Sequence, residues 1–573
     1  MNEQSLFDRY DVSPLLKKIV DGIAMSGNTN APFQVHLQNL NGSSPVFVLQ
    51  HIFTHPQTAT YNHVIVLNDA EEAAYFYNSI ESITGAMDLF YFPSSFKTSQ
   101  NFNLLNPSHV MLRTEALTKL SMGGNKKIVV TYPEAFFEKV IMPKTLQENI
   151  IQIKTNDTLG LNDLMERLVQ YGFERTDFVY EPGQFALRGG IFDIYSFGNE
   201  KPYRVELFGE EVDSIRLFDP ETQLSERKLL QVNIIPNVTT QFEDTIKIPF
   251  MEFVPENTIV WLKDWTLIEQ RGHDQMEALE AFLLHAPILK ITDDADAHKK
   301  NTEKDDFVSV EKVIEQVFNK PIIEWGFQAN LTKQKLAFST QVQPSFNRQF
   351  QYLIANLQEY EKKGYDLFLF AEQAKQLERL HAIFTDLKTD IQFTPIVKNI
   401  HEGFIDHDHK MVCYTDHQIF QRYHKYKVKQ AYSKNKAITL RTLSDLHPGD
   451  YVTHIDHGVG VYSGLQKIEV NGMMQEAVRI IYKDSDILYV NINSLHKISK
   501  YTGKEGTPPK VNKLGSDAWV KLKDKTKAKV KLIAFDLIKL YAQRKAQVGF
   551  AFSADNYMIH ELEASFIYEE TID

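Results

Sequence analysis

Two hydrophobic patterns follow one another along this chain, and their order limits the folds open to it. Up to about Leu146, compact apolar runs alternate with helical stretches. VFVLQHIF and HVIVLN read as strands, with DAEEAAYFYNSI behind the second. AMDLFYF, a helix near Ser108–Leu120 and KKIVVTY before PEAFFEKVI follow. Asp69 stands where a helix cap belongs. Strands alternating with helices predict a parallel sheet covered by helices. Near Leu146 the texture changes. ENIIQIKT and the helix LNDLMERLVQYG lead into FALRGGIFDIYSFG, YRVELFGEEVDSIRLFD and ERKLLQVNIIP, strand runs punctuated by glycines and by Gly198–Asn199. That pattern predicts a meander of hairpins. The first texture returns with TIVWLKD, a long polar helix and NKPIIEWG.

The 573 residues have room for several domains. The boundaries are predicted as α/β over 1–145, a small α+β domain over 146–238 and more α/β over 239–330. A second α/β unit over 331–432 has strands KLAFST, DLFLFA and KMVCYT and ends in the basic linker QRYHKYKVKQAYSKNK. Residues 433–505 give four or five short strands with Gly and Asp turns, read as a small β-barrel. Residues 506–573 carry a long helix, about Asp517–Gln547, with an apolar stripe through Trp519, Leu522, Thr526 and Val530. EASFIYEETID has no closing element, as if another domain followed. The fold class is multidomain α/β and α+β.

Charge is unevenly spread. The whole chain carries −12, yet Arg422–Gly549 holds 24 Lys/Arg against 11 Asp/Glu, a net of +13 that leaves −25 elsewhere. This suggests a basic, partner-facing end on an acidic body; a solvated helix face explains part of it. DNA binding by the basic stretch would fall steeply with salt. One cysteine, Cys413, excludes an intramolecular disulfide framework. No secretory signal opens the chain, and no run approaches the roughly 18 apolar residues of a membrane helix. A soluble cytoplasmic protein is expected.

No recognisable active site emerges. A phosphate loop needs a Gly-rich turn and a lysine followed by Ser or Thr. The Gly503–Lys504 pair is followed by Glu505, and the turn Asn41-Gly42-Ser43-Ser44 lacks the lysine. His454, Asp456 and His457, and Asp406, His407, Asp408 and His409, are metal-ligand types, but turn-forming roles are commoner. Cys413 lies in an apolar run and reads as a core thiol. Glu210–Glu211 reads as a solvated hairpin bend. No cofactor or metal is expected.

Surfaces offer more. Arg188, Arg204 and Glu206 are charged residues inside strand runs, and alternation puts Arg204 and Glu206 on one face beside Phe208. The choice is between a docking site and an ordinary ion pair. In EAVRIIYK, Val478 and Ile480 share one face with Arg479 opposite. On an edge, that strand would offer its backbone to a partner strand; otherwise both apolar residues are core.

In this order the blocks resemble the bacterial transcription-repair coupling factor family over nearly the whole chain. FALRGGIFDIYSFG…PYRVELFGEEVDSIRLFD is similar to the module that family shares with excinuclease B. GDYVTHIDHGVGVYSGL…ILYVNINSLHKISKY is similar to its RNA-polymerase-interacting Tudor-like barrel, and KLGSDAWVKLKDKTKAKVKLIAFDLIKLYAQRKAQVGFAF to its relay helix. The resemblance implies an adaptor in transcription-coupled DNA repair that binds stalled polymerase and recruits excinuclease A. It places Arg188, Arg204, Glu206 and Leu207 on the motif that binds excinuclease A, with Leu207 where the pattern usually has phenylalanine. It places Val478, Arg479 and Ile480 at the contact with the polymerase β subunit. It makes 1–145 and 239–330 two parts of a degenerate motor-like domain. ATP, magnesium and the main grip on double-stranded DNA would belong to a motor beyond Asp573, so this monomeric chain would bind partners without hydrolysing ATP. A CarD-type polymerase-binding regulator is the alternative. By the same analogy the surface for excinuclease A is exposed here, since the family's masking part is mostly absent.

Overall fold

The computed structural model describes residues 4–26, 32–98, 101–199, 201–220, 223–237, 246–285, 301–346, 349–422, 447–454, 457–470, 473–491, 498–501, 509–515 and part of 519–529. They divide into two compact units, Met1–Ile438 and Thr439–Asp573.

The first unit is built on a seven-stranded sheet. Its order is Gln334–Ala337, Gln34–Gln38, Ile322–Trp325, Thr258–Lys263, Asn62–Val66, Ile128–Thr131 and Leu89–Phe92, every pair parallel. Asn62–Val66, Ile128–Thr131 and Leu89–Phe92 are buried throughout, as strands covered on both faces must be. Thr258–Lys263 lies between strands from near the start and the end of the unit, so the hairpin region is an insertion into one sheet. Asp69 caps helix Ala70–Thr84 through the Glu72 N–H at 2.8 Å, as its position predicted.

VFVLQHIF is a correction. The first strand is Gln34–Gln38, and VFVLQHIF lies within helix Ser44–Thr54. This helix is buried nearly all round, between the sheet and the second lobe, where Phe47 meets Phe404 at 5.2 Å and Phe370 at 6.1 Å. A helix enclosed on all sides shows no amphipathic period, and a short apolar run then looks like a strand. KLAFST also divides: Gln334–Ala337 joins the first sheet, while Thr340–Val342 joins the second.

The insertion is a six-stranded sheet ordered Ser225–Leu229, Glu211–Phe218, Tyr203–Phe208, Ile191–Ile194, Gln184–Arg188 and Glu174–Arg175. The first five strands pair antiparallel as hairpins. One face packs Phe185, Phe192, Val205 and Ile215 against Leu164 and Leu168 of helix Leu161–Gln170 and the strand pair Ile151–Lys154 and Gln231–Ile234. Arg188 turns to Ile191 through Gly189, at φ +59°, and Gly190. A Cβ on Gly190 would lie 2.8 Å from the Leu207 carbonyl oxygen. Gly190→Ala is therefore expected to cost on the order of 2 kcal/mol. Hydrogen exchange of this sheet would register it, and unchanged protection would refute the close approach.

The second lobe holds a five-stranded sheet ordered Thr340–Val342, Phe404–Asp406, Met411–Thr415, Asp366–Phe370 and Thr394–Ile396. Helices Phe350–Lys362 and Ala374–Asp386 cover it with Leu353, Leu357, Leu377, Leu380 and Phe384. Cys413 is fully buried, and burial pushes its thiol well above the usual range.

The second unit is an antiparallel sheet of five strands, Ile487–Asn491, Met473–Ile481, Gly458–Val470, Tyr451–His454 and Ile498–Lys500 in that order. Asn512 pins the following segment by exchanging hydrogen bonds with Val459: its Oδ1 accepts at 2.7 Å and its N–H donates at 2.9 Å. The expected long helix is helical at Trp519, 521–523, 525–527 and 529; the rest lies outside the described residues. Leu522, expected on an apolar stripe, is 53% exposed.

Candidate docking surfaces

Register decides what the charged residues of the hairpin sheet do. Asp193, Arg204, Arg216 and Lys228 stand opposite one another across adjacent strands, and Arg188, Ile191, Glu206 and Ser214 form the next row of the same face. At its centre is Asp193, fully buried. Arg204 grips it with both ends of its guanidinium, Nε to Oδ1 at 2.8 Å and Nη2 to Oδ2 at 2.9 Å. Arg188 adds a bond to Oδ2 at 2.5 Å. Arg204 also donates to the Gln223 carbonyl at 2.9 Å and lies over the Phe218 ring at 4.4 Å, while Arg188 lies over Phe178 at 4.3 Å. Two arginines thus share one buried carboxylate.

Arg204 is therefore not paired with Glu206, which corrects the expected surface pair. Glu206 accepts from Ser214 Oγ at 2.5 Å and from Arg216 at 3.1 Å. The side chain of Arg204 is only 12% exposed, against 28–31% for Arg188, Glu206 and Arg216. Leu207 is half-buried against the domain core, and its N–H donates to the Gly190 carbonyl. The adjacent Phe208 stands at the hairpin tip, 84% exposed. What faces solvent is a row of half-exposed charges beside one aromatic ring, held from beneath by Asp193. Sequence reasoning missed Asp193 and Arg216; the signal was a charge in the middle of the strand runs FDIY and SIRLF.

In the second unit the strand carrying Val478 and Ile480 is interior, which is the core alternative of the sequence reading. Met473–Ile481 pairs on one side with Gly458–Val470 and on the other with Ile487–Asn491. Val478 and Ile480 are fully buried, so neither side chain can touch a partner while the sheet is folded. Among the described residues the edge strands are Ile487–Asn491, beside it, and Ile498–Lys500. Arg479 is cross-strand neighbour to Tyr489, and Ile481 to Ile487. Tyr489 and Ile487 are about two-fifths exposed, at 40% and 39%. The Arg479 Nε is buried with no hydrogen-bond partner. The outward face combines a cation, an aromatic ring and an aliphatic side chain along an edge.

Several side chains of the metal-like clusters bond within the protein, and Asp456 lies outside the described residues. Asp406 accepts from the His409 N–H at 3.0 Å and from Tyr10 Oη at 3.1 Å, and lies 2.8 Å from His409 Nδ1. Asp408 accepts from the Ser339 N–H at 2.7 Å. His454 and His457 stack at 4.8 Å. Among the described residues no three His, Cys, Asp or Glu side chains gather as they would around a metal ion. Nor is any described helix long and apolar enough to cross a membrane. A cavity of about 350 Å³ lies beyond the strand ends beside Ser43, Tyr75, Trp325 and His401, and its lysine, Lys263, is bonded to Glu72.

Comparison with known proteins gives these surfaces a setting. Residues 151–239 match the UvrB interaction domain, and 446–502 match the CarD-like/TRCF RID domain. A transcription-repair-coupling factor of Bacillus subtilis is 27% identical over 96% of this chain and 51% of its own length. One from Staphylococcus haemolyticus is 26% identical over 89% of this chain and 49% of its own. A solved DEAD box protein from Methanococcus jannaschii aligns over 65% of this chain and 63% of its own at 10% identity, with a TM-score of 0.21 that says nothing of shared fold. The chain spans about half the length of the curated relatives it matches. Over nearly its whole length this chain is similar to the transcription-repair-coupling factors of these two bacteria.

Proposed function

We propose that this chain is an adaptor in transcription-coupled DNA repair, binding the RNA polymerase β subunit through its second unit and excinuclease A through its hairpin sheet. One observation carries this reading: a UvrB interaction domain and a CarD-like/TRCF RID domain occur together on one chain. A CarD-type regulator without a repair role would have no use for the first of them. The five-stranded sheet is read as a Tudor-like barrel and the helix after it as the relay to a motor in a longer protein, which would supply the ATP turnover and the main DNA contacts. The chain itself is assigned no ATP hydrolysis and a monomeric, cytoplasmic state.

The surface for excinuclease A is assigned to Arg188, Glu206 and Phe208. Arg204 acts as a positioning residue through Asp193, and Leu207 contributes through the backbone of its hairpin. The polymerase surface is assigned to the edge strand Ile487–Asn491 together with Arg479. Its edge position among the described strands suits addition of a partner strand, and its side chains supply the aromatic and arginine anchors that interfaces favour. Val478 and Ile480 support that strand from the core.

The test is binding of the chain to the isolated β-subunit lobe, with two variants. Tyr489→Ala combined with Ile487→Asp is expected to weaken binding at least tenfold while the fold by circular dichroism is unchanged. Ile480→Arg is expected to lose the fold of the unit, because a charge would enter its core. Full affinity in the edge variant would refute the assignment to this strand. No binding by the parent would leave the excinuclease reading alone.

A further inference from the structure

In nucleotide-binding α/β sheets, the turn from a strand into a helix presents backbone N–H groups to phosphate. The corresponding turn here joins strand Gln34–Gln38 to helix Ser44–Thr54. It is occupied by the chain itself. The Ser43 N–H donates to the Glu402 carbonyl at 3.1 Å, and the Glu402 N–H donates back to Ser43 Oγ at 3.0 Å. Gly42 has φ +55°, and a Cβ there would lie 2.7 Å from the Gly403 carbonyl oxygen.

The rest of the segment is fixed just as closely. The His401 N–H donates to Ser79 Oγ at 3.1 Å, the Asn399 N–H to Ser82 Oγ at 2.6 Å and Lys398 Nζ to the Ser82 carbonyl at 2.9 Å. The His401 ring stacks on Tyr75 at 3.7 Å. From its own lobe, Gln418 accepts the Gly403 N–H at 2.7 Å. On the other side of the turn, Thr340 Oγ1 accepts from the Asn41 N–H at 2.8 Å and donates to the Asn39 carbonyl at 2.7 Å.

We propose that Lys398–Gly403 is a resident peptide ligand, supplied in cis, of a vestigial phosphate loop, and that holding it there is a role of the second α/β lobe. This goes beyond the adaptor reading and does not depend on either partner. Ser43 stands where a phosphate loop has its lysine, directly after the glycine and before Ser44. Serine is short enough to let the Glu402 peptide approach, and its oxygen accepts the N–H that a lysine would leave unpaired. The contact continues into shared core, through Phe47 against Phe370 and Phe404 and through the Tyr10 bond to Asp406. A ligand anchored this way is not displaced by millimolar nucleotide. Restoring the lysine alone therefore does not restore a nucleotide site.

The test combines hydrogen exchange with thermal shift on the whole chain. In Gly42→Val, amides of Ser43 and Asn399–Gly403 are expected to exchange at least tenfold faster, with Met411–Thr415 still protected. Should the lobe unfold altogether, Glu402→Pro decides, because it removes the Glu402 donor and constrains the backbone of His401 and Glu402 alone, and it is expected to accelerate exchange at Ser43 by a similar factor. The parent and Ser43→Lys, with millimolar Mg–ATP, are expected to shift in melting temperature by less than about 1 °C. Parent-like protection of Asn399–Gly403 in Gly42→Val, or of Ser43 in Glu402→Pro, would overturn the proposal. So would a nucleotide-induced rise in melting temperature accompanied by faster exchange at 399–403, which would make the segment a displaceable gate.

Discussion

Asp193→Asn is expected to destabilise the inserted hairpin sheet by about 3–5 kcal/mol, the usual loss when one partner of a buried ion pair is removed. The magnitude follows from position. Asp193 has no exposure, accepts from both Arg188 and Arg204, and lies on a central strand of the sheet. Asparagine keeps one acceptor but no charge, so two guanidiniums are left facing each other over a neutral group. A domain of this size has about 5–15 kcal/mol in all, so the sheet should open well before the parallel sheet around it. Hydrogen exchange of Gln184–Arg188 and Ile191–Ile194 in increasing urea is the direct measurement. Arg188→Ala should cost much less, because its partly exposed side chain is replaced by water. Combining Asp193→Leu with Arg204→Met should recover much of the loss, since replacing a buried pair by apolar groups is often neutral. A loss below about 1 kcal/mol in Asp193→Asn would mean that the two arginines find other acceptors.

The second large effect is on acid stability. His63 is completely buried in the parallel sheet, where burial lowers its pKa from the usual 6.5 to about 3. Its Nδ1 accepts from Trp261 Nε1 at 3.0 Å, which suits a neutral ring. His417, in the second lobe, is lowered to about 4, again mainly by burial. The sign is set by proton count. Between the folded and unfolded pKa values the unfolded chain binds more protons, so stability falls as pH falls. For His63 the window runs from about 6.5 down to about 3, for His417 from about 6.5 down to about 4. Each contributes about 1.4 kcal/mol per pH unit inside its window. Between pH 6.5 and 4.5 the two together should remove roughly 5 kcal/mol. Unfolding followed by tryptophan fluorescence reports on the parallel sheet, which contains Trp261 and Trp325. His63→Gln, which cannot be protonated, should remove the share of that pH dependence that His63 contributes, about 1.4 kcal/mol per pH unit inside its window. An unchanged slope in this variant would show that His63 does not stay neutral in the folded chain.

The alternation of strands and helices, the interruption by hairpins and the return to α/β were all legible from periodicity, because half-covered elements must alternate and turns must carry glycine. Asp69 as a cap, Cys413 as a core thiol and Glu210–Glu211 as an exposed bend were legible for the same local reasons. Helix Ser44–Thr54 was not, since burial on every side erases its period. The partner of a strand was not legible either. Gln334–Ala337 carries no mark that sends it to the first sheet, and Met473–Ile481 none that makes it interior. The motif residues were in view from the start, but their roles depended on register across strands far apart in the chain. It is register that turns Arg204 inward to Asp193 and leaves Glu206 to Arg216. Local composition determines which elements form, because capping, turn chemistry and one-sided burial act over a few residues. Only the tertiary structure decides which faces are left for partners, because exposure is what remains after every element has taken its neighbours.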